Sequence, residues 1–323
     1  MQNNLKKEVL FLTEALLGGG LGHVVRTFSL FSYFKKRNSI PTLIINSKPL
    51  QMLPLSGDIL YQNWNETISE TSGNTVVIDS YQIAQKTIED LKNRFSSIIL
   101  FDDFFRIRTE GVGIINSGCF NCENQYPKSN RLMLGPNFFP LRESLYSPTV
   151  KNIQDTAQNV LVFFGGEDAA NLSLKTATFL SSTGYDLEIF VIVGESYPHS
   201  LEKLESVKNC KVFRSPDIGS ISKLFDMSDI CISACGQSLF ELAHYGVPTI
   251  GVKVADNQDE NINLFSSNRF LENVLEPSYN FQEFFFSFSS MLDPIKRNEK
   301  ARIGRLLVDG KGCNRIYQSI IGD

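Results

Sequence analysis

Two rounds of one pattern narrow the folds open to this chain: short apolar runs alternate with longer amphipathic stretches, first over one half and then over the other. In the first half, Val9–Leu12, Thr42–Ile45, Thr75–Ile78, Ser97–Phe101 and Val112–Ile115 have the length and the β-branched or aromatic content of buried strands. In the second half, Val160–Phe164, Leu187–Val193, Ile230–Ser233 and Thr249–Val254 repeat the scheme. Near-continuous apolar runs belong to parallel sheets covered on both faces, so the intervening stretches are expected to be helices. Val24, Phe28, Phe31 and Phe34 stand at helical spacing, and Lys35-Lys36-Arg37 places positive charge at the negative end of that helix. A chain of 323 residues is longer than one core usually supports, which predicts two doubly wound α/β domains. Leu134–Thr149, with Pro136, Pro140 and Pro148 and no clear period, is expected to be the linker. The predicted domains are 1–140 and 141–323, with the last helices free to return to the first domain.

Composition excludes several partners. Net charge is −4 and no basic run exceeds Lys35-Lys36-Arg37, which argues against nucleic acid. No apolar stretch reaches the roughly 18 residues of a membrane span. Val9–Leu21 lacks a signal-peptide cleavage site and is interrupted by Glu14. The six cysteines are scattered, which suggests free thiols and a cytoplasmic location. Cys119-Phe-Asn-Cys122 has no second pair at zinc-site spacing, so two incidental thiols are expected. The aromatic tract Phe281–Phe288 reads as the core face of a helix, with a peripheral membrane contact as the alternative.

Three segments carry chemistry. Gly18-Gly19-Gly20-Leu21-Gly22-His23 follows the first strand and opens a helix. Glycines let a backbone approach a ligand, and a helix N-terminus offers free N–H groups. The segment does not fit G-x-G-x-x-G, because His23 or Val25 falls where the third glycine belongs. His23 lies beyond the carboxyl end of the first strand, where open α/β sheets place ligands, and imidazole is a natural general base. His199 is expected to be exposed, and His244 to cap or pack near a helix end. The second segment is Ser233–Glu241. Ser238 and Glu241 have the spacing of a capping box; alternatively Gly236, Gln237 and Ser238 turn N–H groups toward a diphosphate. In the third, Val254–Gln258, Asp256 either caps the next helix or joins Asn257 and Gln258 in reading sugar hydroxyls.

The residues resemble the nucleotide-sugar hydrolases of pseudaminic acid biosynthesis and their spore-coat polysaccharide relatives. The resemblance rests on Gly20-Leu-Gly-His-Val-Val-Arg26, Ile78-Asp-Ser-Tyr81, Phe101-Asp-Asp103, Leu134–Arg142, Phe164-Gly-Gly-Glu-Asp168, Ser233–Glu241, Ala255-Asp-Asn-Gln258 and Asp309-Gly-Lys-Gly312. Those proteins have the GT-B superfold, two Rossmann-like domains facing across a cleft, akin to the glycosyltransferase that makes the peptidoglycan lipid precursor. The resemblance implies hydrolysis of UDP-2,4-diacetamido-2,4,6-trideoxy-β-L-altropyranose to sugar and UDP. A monomer is expected, and neither metal nor cofactor, because a helix end can neutralise the leaving diphosphate. It implies that His23 activates water, with Tyr81 and Asn257 beside it, and that Glu241 holds the ribose. Gly20, Gly22, Arg26, Gly165, Gly166, Gly236, Gln237, Ser238 and Gln258 would complete the contacts to a UDP-amino sugar.

The chain departs from that pattern twice. Cys235-Gly236-Gln237 replaces a glycine-richer phosphate loop, and the side chains of Cys235 or Gln237 would narrow it. Asp79-Ser80-Tyr81-Gln82 stands where the family has Asp-His-Tyr-Gly, which reshapes the wall facing the sugar. Asp102-Asp103 is not an Asp-x-Asp metal pair and is expected to be structural or to cap the following segment. Two other functions remain open on sequence: glycosyl transfer from a similar donor, and nucleotide-sugar binding without catalysis.

Overall fold

A computed structural model describes residues 7–15, 22–37, 39–48, 58–63, 68, 71–149 and 152–322. The chain divides into two compact units, 1–143 with 310–323, and 144–309. In unit 1 a parallel sheet runs β3-β2-β1-β4-β5-β6-β7. Its strands are β1 (Lys7–Glu14), β2 (Ser39–Asn46), β3 (Ile59–Tyr61), β4 (Gly73–Asp79), β5 (Phe95–Phe101), β6 (Gly113–Asn116) and β7 (Arg131–Leu134). Among the described residues the α-helices of this unit are α1 (Gly22–Lys35), α2 (Gln85–Leu91) and the C-terminal Gly312–Ile321.

The two-residue period of the strands sends their side chains to opposite faces. Leu12, Ile44, Val76, Ile78, Leu100 and Ile114 gather with Ile88 and Leu91 of α2 in one buried cluster. On the other face Phe11 meets Phe31 and Phe34 of α1 edge to face, at 6.0 and 5.3 Å between ring centres. The Gly312–Ile321 helix packs against α1, with Tyr33 Oη donating to Asn314 Oδ1 at 2.8 Å. Strand order reverses between β1 and β4, where Thr13 lies opposite Asp79 at the carboxyl edge.

Unit 2 carries a second parallel sheet in the order β10-β9-β8-β11-β12-β13. Its strands are β8 (Asn159–Phe163), β9 (Glu188–Val193), β10 (Cys210–Arg214), β11 (Ile230–Ala234), β12 (Thr249–Val252) and β13 (Val274–Leu275). Its helices are α3 (Leu172–Ser181), α4 (Leu201–Glu205), α5 (Ile218–Met227), α6 (Ser238–Tyr245), α7 (Asp259–Ser267), α8 (Phe281–Ser290) and α9 (Pro294–Leu307); the C-terminal helix of unit 1 is then α10. Here strand order reverses between β8 and β11. The aromatic tract forms α8, whose Phe284 and Phe288 join the core while Phe281 and Phe286 stay exposed. Asn280 and Glu283 close a complete capping box at its start.

Two expectations about cysteines and caps are corrected. Cys119 and Cys122 form a disulfide, because the turn after β6 brings their Cα atoms within 6.3 Å; Cys210, Cys231, Cys235 and Cys313 are free. The Ser238–Glu241 capping box does not form: Gln237 is the N-cap and makes no side-chain cap bond. Helix α6 starts one residue too early for Ser238 to be its cap, and the Ser238 hydroxyl lies 3.4 Å from Ser233 Oγ instead. Among the described residues no helix is long and apolar enough to cross a membrane.

Candidate active site

In unit 1 the carboxyl edge of the sheet ends in acidic residues: Glu14 on β1, Asp79 on β4, and Asp102 and Asp103 just after β5. Helix α1 places His23, Arg26 and Thr27 at i, i+3 and i+4, on one face of the helix. All three bind Asp79. His23 Nδ1 lies 2.5 Å from Asp79 Oδ1, Arg26 grips both carboxylate oxygens at 2.6 and 2.7 Å, and Thr27 Oγ1 donates at 3.1 Å. The same guanidinium reaches Asp103, at 3.0 Å from Oδ1 and 2.9 Å from Oδ2, and lies 4.6 Å above the Phe101 ring. Tyr81 Oη donates to Asp103 Oδ2 at 2.7 Å, and the His23 and Tyr81 rings meet edge to face at 4.1 Å.

The electrostatics fix the proton positions. Burial alone would push the Asp79 carboxyl up, but Arg26 and His23 outweigh it and hold it well below the usual carboxylate range. Arg26 is likewise disfavoured by burial, and the charges of Asp103 and Asp79 overcome this and raise its pKa. Asp79 is therefore an anion and can only accept, so His23 Nδ1 must carry the hydrogen it shares with Asp79. In the neutral ring Nε2 then keeps the lone pair. Among the described residues, Nε2 has no hydrogen-bond partner. A carboxylate that orients an imidazole in this tautomer equips the ring to take a proton from a hydroxyl.

Neighbouring side chains hold the Tyr81 segment. Glu14, buried, accepts from Ser80 Oγ at 2.9 Å and from the Tyr81 N–H at 3.0 Å. Ser80 Oγ in turn accepts from the N–H groups of Gln82 and Ile83 at 3.0 and 3.1 Å, so the serine that departs from the family pattern closes the turn. Arg106 donates to the carbonyls of Tyr81 and Ser80 at 2.8 and 2.9 Å. Asp102 caps the following turn through the N–H groups of Arg106 and Ile107, at 3.0 and 2.8 Å. The Asp103 carboxylate is held by Arg26 and accepts from Tyr81.

The carboxyl edge of unit 2 is built differently. Gly165, with φ of +85°, and Gly166 follow β8, and a side chain added at either would meet open space. Gly194 packs so closely that an added Cβ would fall 2.4 Å from the Gly166 carbonyl oxygen. The N-terminus of α3 is occupied by Asp168, which accepts from the N–H groups of Leu172 and Ser173 at 2.8 Å each. At helix α6, after β11, the N-cap Gln237 makes no side-chain cap bond, and the Leu239 and Phe240 N–H groups bond within the turn to the Gly236 and Gln237 carbonyls at 3.2 and 3.1 Å. Gly236, Gln237 and Ser238 are half-buried there, and Glu241 is buried one turn further on. Gln258 is buried, its Oε1 accepting from the Val254 N–H at 2.9 Å, while Asn257 is exposed.

Three further expectations in unit 2 are revised. The Cys235 side chain turns into the sheet toward Gly251, where an added Cβ would lie 2.7 Å from its sulfur, so it does not narrow the phosphate loop. Burial pushes that thiol up to about 12. Asp256 does not cap a helix; its side chain is fully exposed and lies 3.5 Å from Lys253 Nζ. His199 is half-buried rather than exposed, and its Nε2 donates to the carbonyls of Asp168 and Ala169 at 3.1 Å each. His244 packs near the end of α6 as expected, bonded through Nδ1 to the Val308 carbonyl at 2.9 Å.

Of the residues singled out by sequence, His23, Arg26 and Tyr81 come together in unit 1, with Gly22 opening α1; Gly20 lies outside the described residues. Gly165, Gly166, Gly236, Gln237, Ser238, Glu241, Asn257 and Gln258 all follow strands of unit 2 or open its helices. Sequence reasoning missed Asp79, Asp103 and Glu14. The available signal was a lone acidic residue directly after an apolar strand, repeated on three neighbouring strands. Among the described residues no group of three or more His, Cys, Asp or Glu is placed to hold a metal.

No family model matches the chain. It is 23% identical over 257 residues to a Helicobacter pylori protein named pseudaminic acid cytidylyltransferase and UDP-2,4-diacetamido-2,4,6-trideoxy-beta-L-altropyranose hydrolase, covering 77% of this chain and 45% of that one. It is 21% identical over 272 residues to an uncharacterized protein of Methanocaldococcus jannaschii, covering 75% of this chain and 55% of that one. The chain thus spans about half the length of the curated relatives it matches. Among solved structures it superposes on Acinetobacter baumannii MurG with a TM-score of 0.68 at 13% identity, covering 98% of this chain and 100% of that one. CalG4, the calicheamicin glycosyltransferase, gives 0.64 at 12% identity, with 100% and 99% covered. The fold is GT-B: two parallel-sheet α/β units of the kind found in these glycosyltransferases.

Proposed function

We propose that this protein acts on a UDP-linked amino sugar and transfers the sugar to water, releasing free sugar and UDP. The observation that carries this reading is the buried Asp79–His23 pair at the strand-order reversal of unit 1, which leaves Nε2 as the basic nitrogen. In this reaction Nε2 takes a proton from water as the water oxygen bonds to the anomeric carbon. The bond from that carbon to the diphosphate breaks, and its electron pair leaves on UDP. The positive end of the α6 dipole, with Gly236, Gln237 and Ser238, faces the growing charge, and Glu241 holds the ribose. Gly165 and Gly166 give the nucleotide room, and Asn257 and Gln258 read sugar hydroxyls. Gly20, Gly22 and Arg26 shape the water side, Arg26 by fixing Asp79.

The distant likeness to a protein whose name includes a UDP-diacetamido-sugar hydrolase supports this choice of substrate class. The chemistry of the leaving group needs no protein acid, because UDP departs as a stable anion. The experiment is turnover in ¹⁸O-labelled water with UDP-, CMP- and GDP-linked diacetamido sugars and no acceptor. UDP release with label in the sugar is expected. Label in the phosphate would contradict attack at carbon, and turnover only after an acceptor is added would identify a transferase.

A further inference from the structure

The Tyr81 hydroxyl has one hydrogen, and the site commits it. It donates to Asp103 Oδ2 at 2.7 Å, and Asp103 is held by two guanidinium nitrogens of Arg26, at 3.0 and 2.9 Å. Those contacts come from the same guanidinium that grips Asp79. One arginine therefore anchors two carboxylates, of which one orients the histidine and the other the tyrosine.

We propose that Asp103 is a positioning residue: by holding the Tyr81 hydroxyl proton, it leaves the phenolic oxygen only lone pairs, so Tyr81 accepts a hydrogen bond from the attacking water and donates no proton. This rests on the hydrolase reading. Water has two hydrogens. His23 Nε2 takes one as base, the Tyr81 oxygen receives the second as a hydrogen bond, and the remaining lone pair is free to meet the anomeric carbon. The water O–H bond to Nε2 breaks, the C–O bond forms, and the bond to UDP breaks with its electron pair. Tyr81 and Asp103 end the step as they began. The charged and titratable groups around Tyr81 are Asp103 after β5, Asp79 on β4, His23 and Arg26 on α1, Glu14 at its backbone N–H, and Arg106, 5.8 Å from the ring centre. Burial, reinforced by the Asp103 charge, holds the hydroxyl well above the ordinary tyrosine range, so it keeps its hydrogen.

The test compares Asp103→Ala, Asp103→Glu, Tyr81→Phe and the Asp103→Ala/Tyr81→Phe pair, each checked for folding by circular dichroism. Asp103→Ala and Tyr81→Phe are each expected to lower kcat about 100-fold, the scale of a misplaced reacting group, with little change in KM. The double variant should lose no more than either single one, and Asp103→Glu should recover part of the rate. A kcat for Asp103→Ala near that of the parent, or losses that multiply in the double variant, would overturn the proposal. A second readout needs no turnover: ¹³C-tyrosine resonances followed from pH 8 to 11. Tyr81 should titrate last in the parent protein and earlier in Asp103→Ala. Should no UDP sugar turn over while this shift appears, the hydrolase reading fails and the Asp103–Tyr81 coupling stands. Should Tyr81 titrate in the parent with the exposed tyrosines, the proposal falls whatever the turnover.

Discussion

The two units share a topology and differ in what they do with it. Each is a parallel sheet whose strand order reverses beside its first strand, and each gathers its distinctive residues at the carboxyl edge there. In unit 1 that edge is filled with buried charge: Asp79 and Asp103 around one arginine, with His23 and Tyr81 resting on them. In unit 2 it is lined with glycine backbone at 165, 166 and 236, and the carboxylate of Asp168 there serves α3. A charged network holds side chains in fixed orientation, as proton transfer requires; glycine backbone beside a helix N-terminus accommodates an anion. The proposed function puts chemistry in unit 1 and nucleotide binding in unit 2, and substitutions can break that division.

The largest effect is expected at His23. General-base assistance is worth about 10²–10⁴-fold, so His23→Ala should lower kcat by that range while UDP binding, read by calorimetry, stays near the parent value. A loss below about tenfold, or a parallel loss of UDP affinity, would place the chemistry elsewhere. Asp79→Ala should be next. It leaves the Arg26 charge buried without the Asp79 carboxylate, a change that typically costs about 3–5 kcal/mol in urea unfolding.

The pH dependence has a defined sign. Asp79 is held below its unfolded value, so its stabilisation is complete above the ordinary carboxylate range and drains away as pH falls through and below that range. Parent stability should therefore drop between about pH 4 and pH 2, and more steeply than that of Asp79→Ala. Equal slopes would show that the carboxylate is not anchored as described.

The fold was largely legible in the sequence, and the gaps follow one rule. The nine runs expected as strands are the interior strands of the two sheets, β1, β2, β4, β5 and β6 in unit 1 and β8, β9, β11 and β12 in unit 2. The four strands not foreseen, β3, β7, β10 and β13, are the four edges. An edge strand has one bonded neighbour and partial cover, so it is short and carries residues such as Arg131 and Lys211 among its apolar ones. It leaves no continuous apolar run to detect. The site was legible where a residue type is rare and badly placed for packing, as with His23. It was not legible at Asp79 and Asp103, because an acid after a strand looks the same whether it caps a turn, as Asp102 does, or anchors an arginine. Only the approach of α1 to the strand ends decides between them.

A smaller effect is expected at Gly194, which belongs to neither loop of the site. A methyl there meets the Gly166 backbone, so Gly194→Ala must shift the turn after β8. Overpacking of this kind costs about 1–3 kcal/mol. If that turn makes room for the nucleotide, UDP affinity should fall with it while the tyrosine titration in unit 1 is unchanged. Unaltered affinity in a folded variant would remove Gly165 and Gly166 from the nucleotide site.

The smallest effect discriminates most sharply between the two helix ends of unit 2. Asp168 satisfies two N–H groups of α3 and denies that end to a ligand, whereas the α6 N-cap, Gln237, makes no side-chain cap bond. Asp168→Ala should cost about 1 kcal/mol of stability, the usual loss for an N-cap. UDP affinity should stay within about twofold of the parent, since the diphosphate is assigned to α6 and the freed α3 end gains only a weak attraction for anions. A marked rise in UDP affinity would mean that the diphosphate lies at α3 and that Asp168 had been repelling it. A marked fall would mean that the Asp168 turn itself touches the nucleotide. Either result would reverse the roles of the two helices while leaving the His23–Asp79 pair untouched, because that pair depends only on α1 and β4.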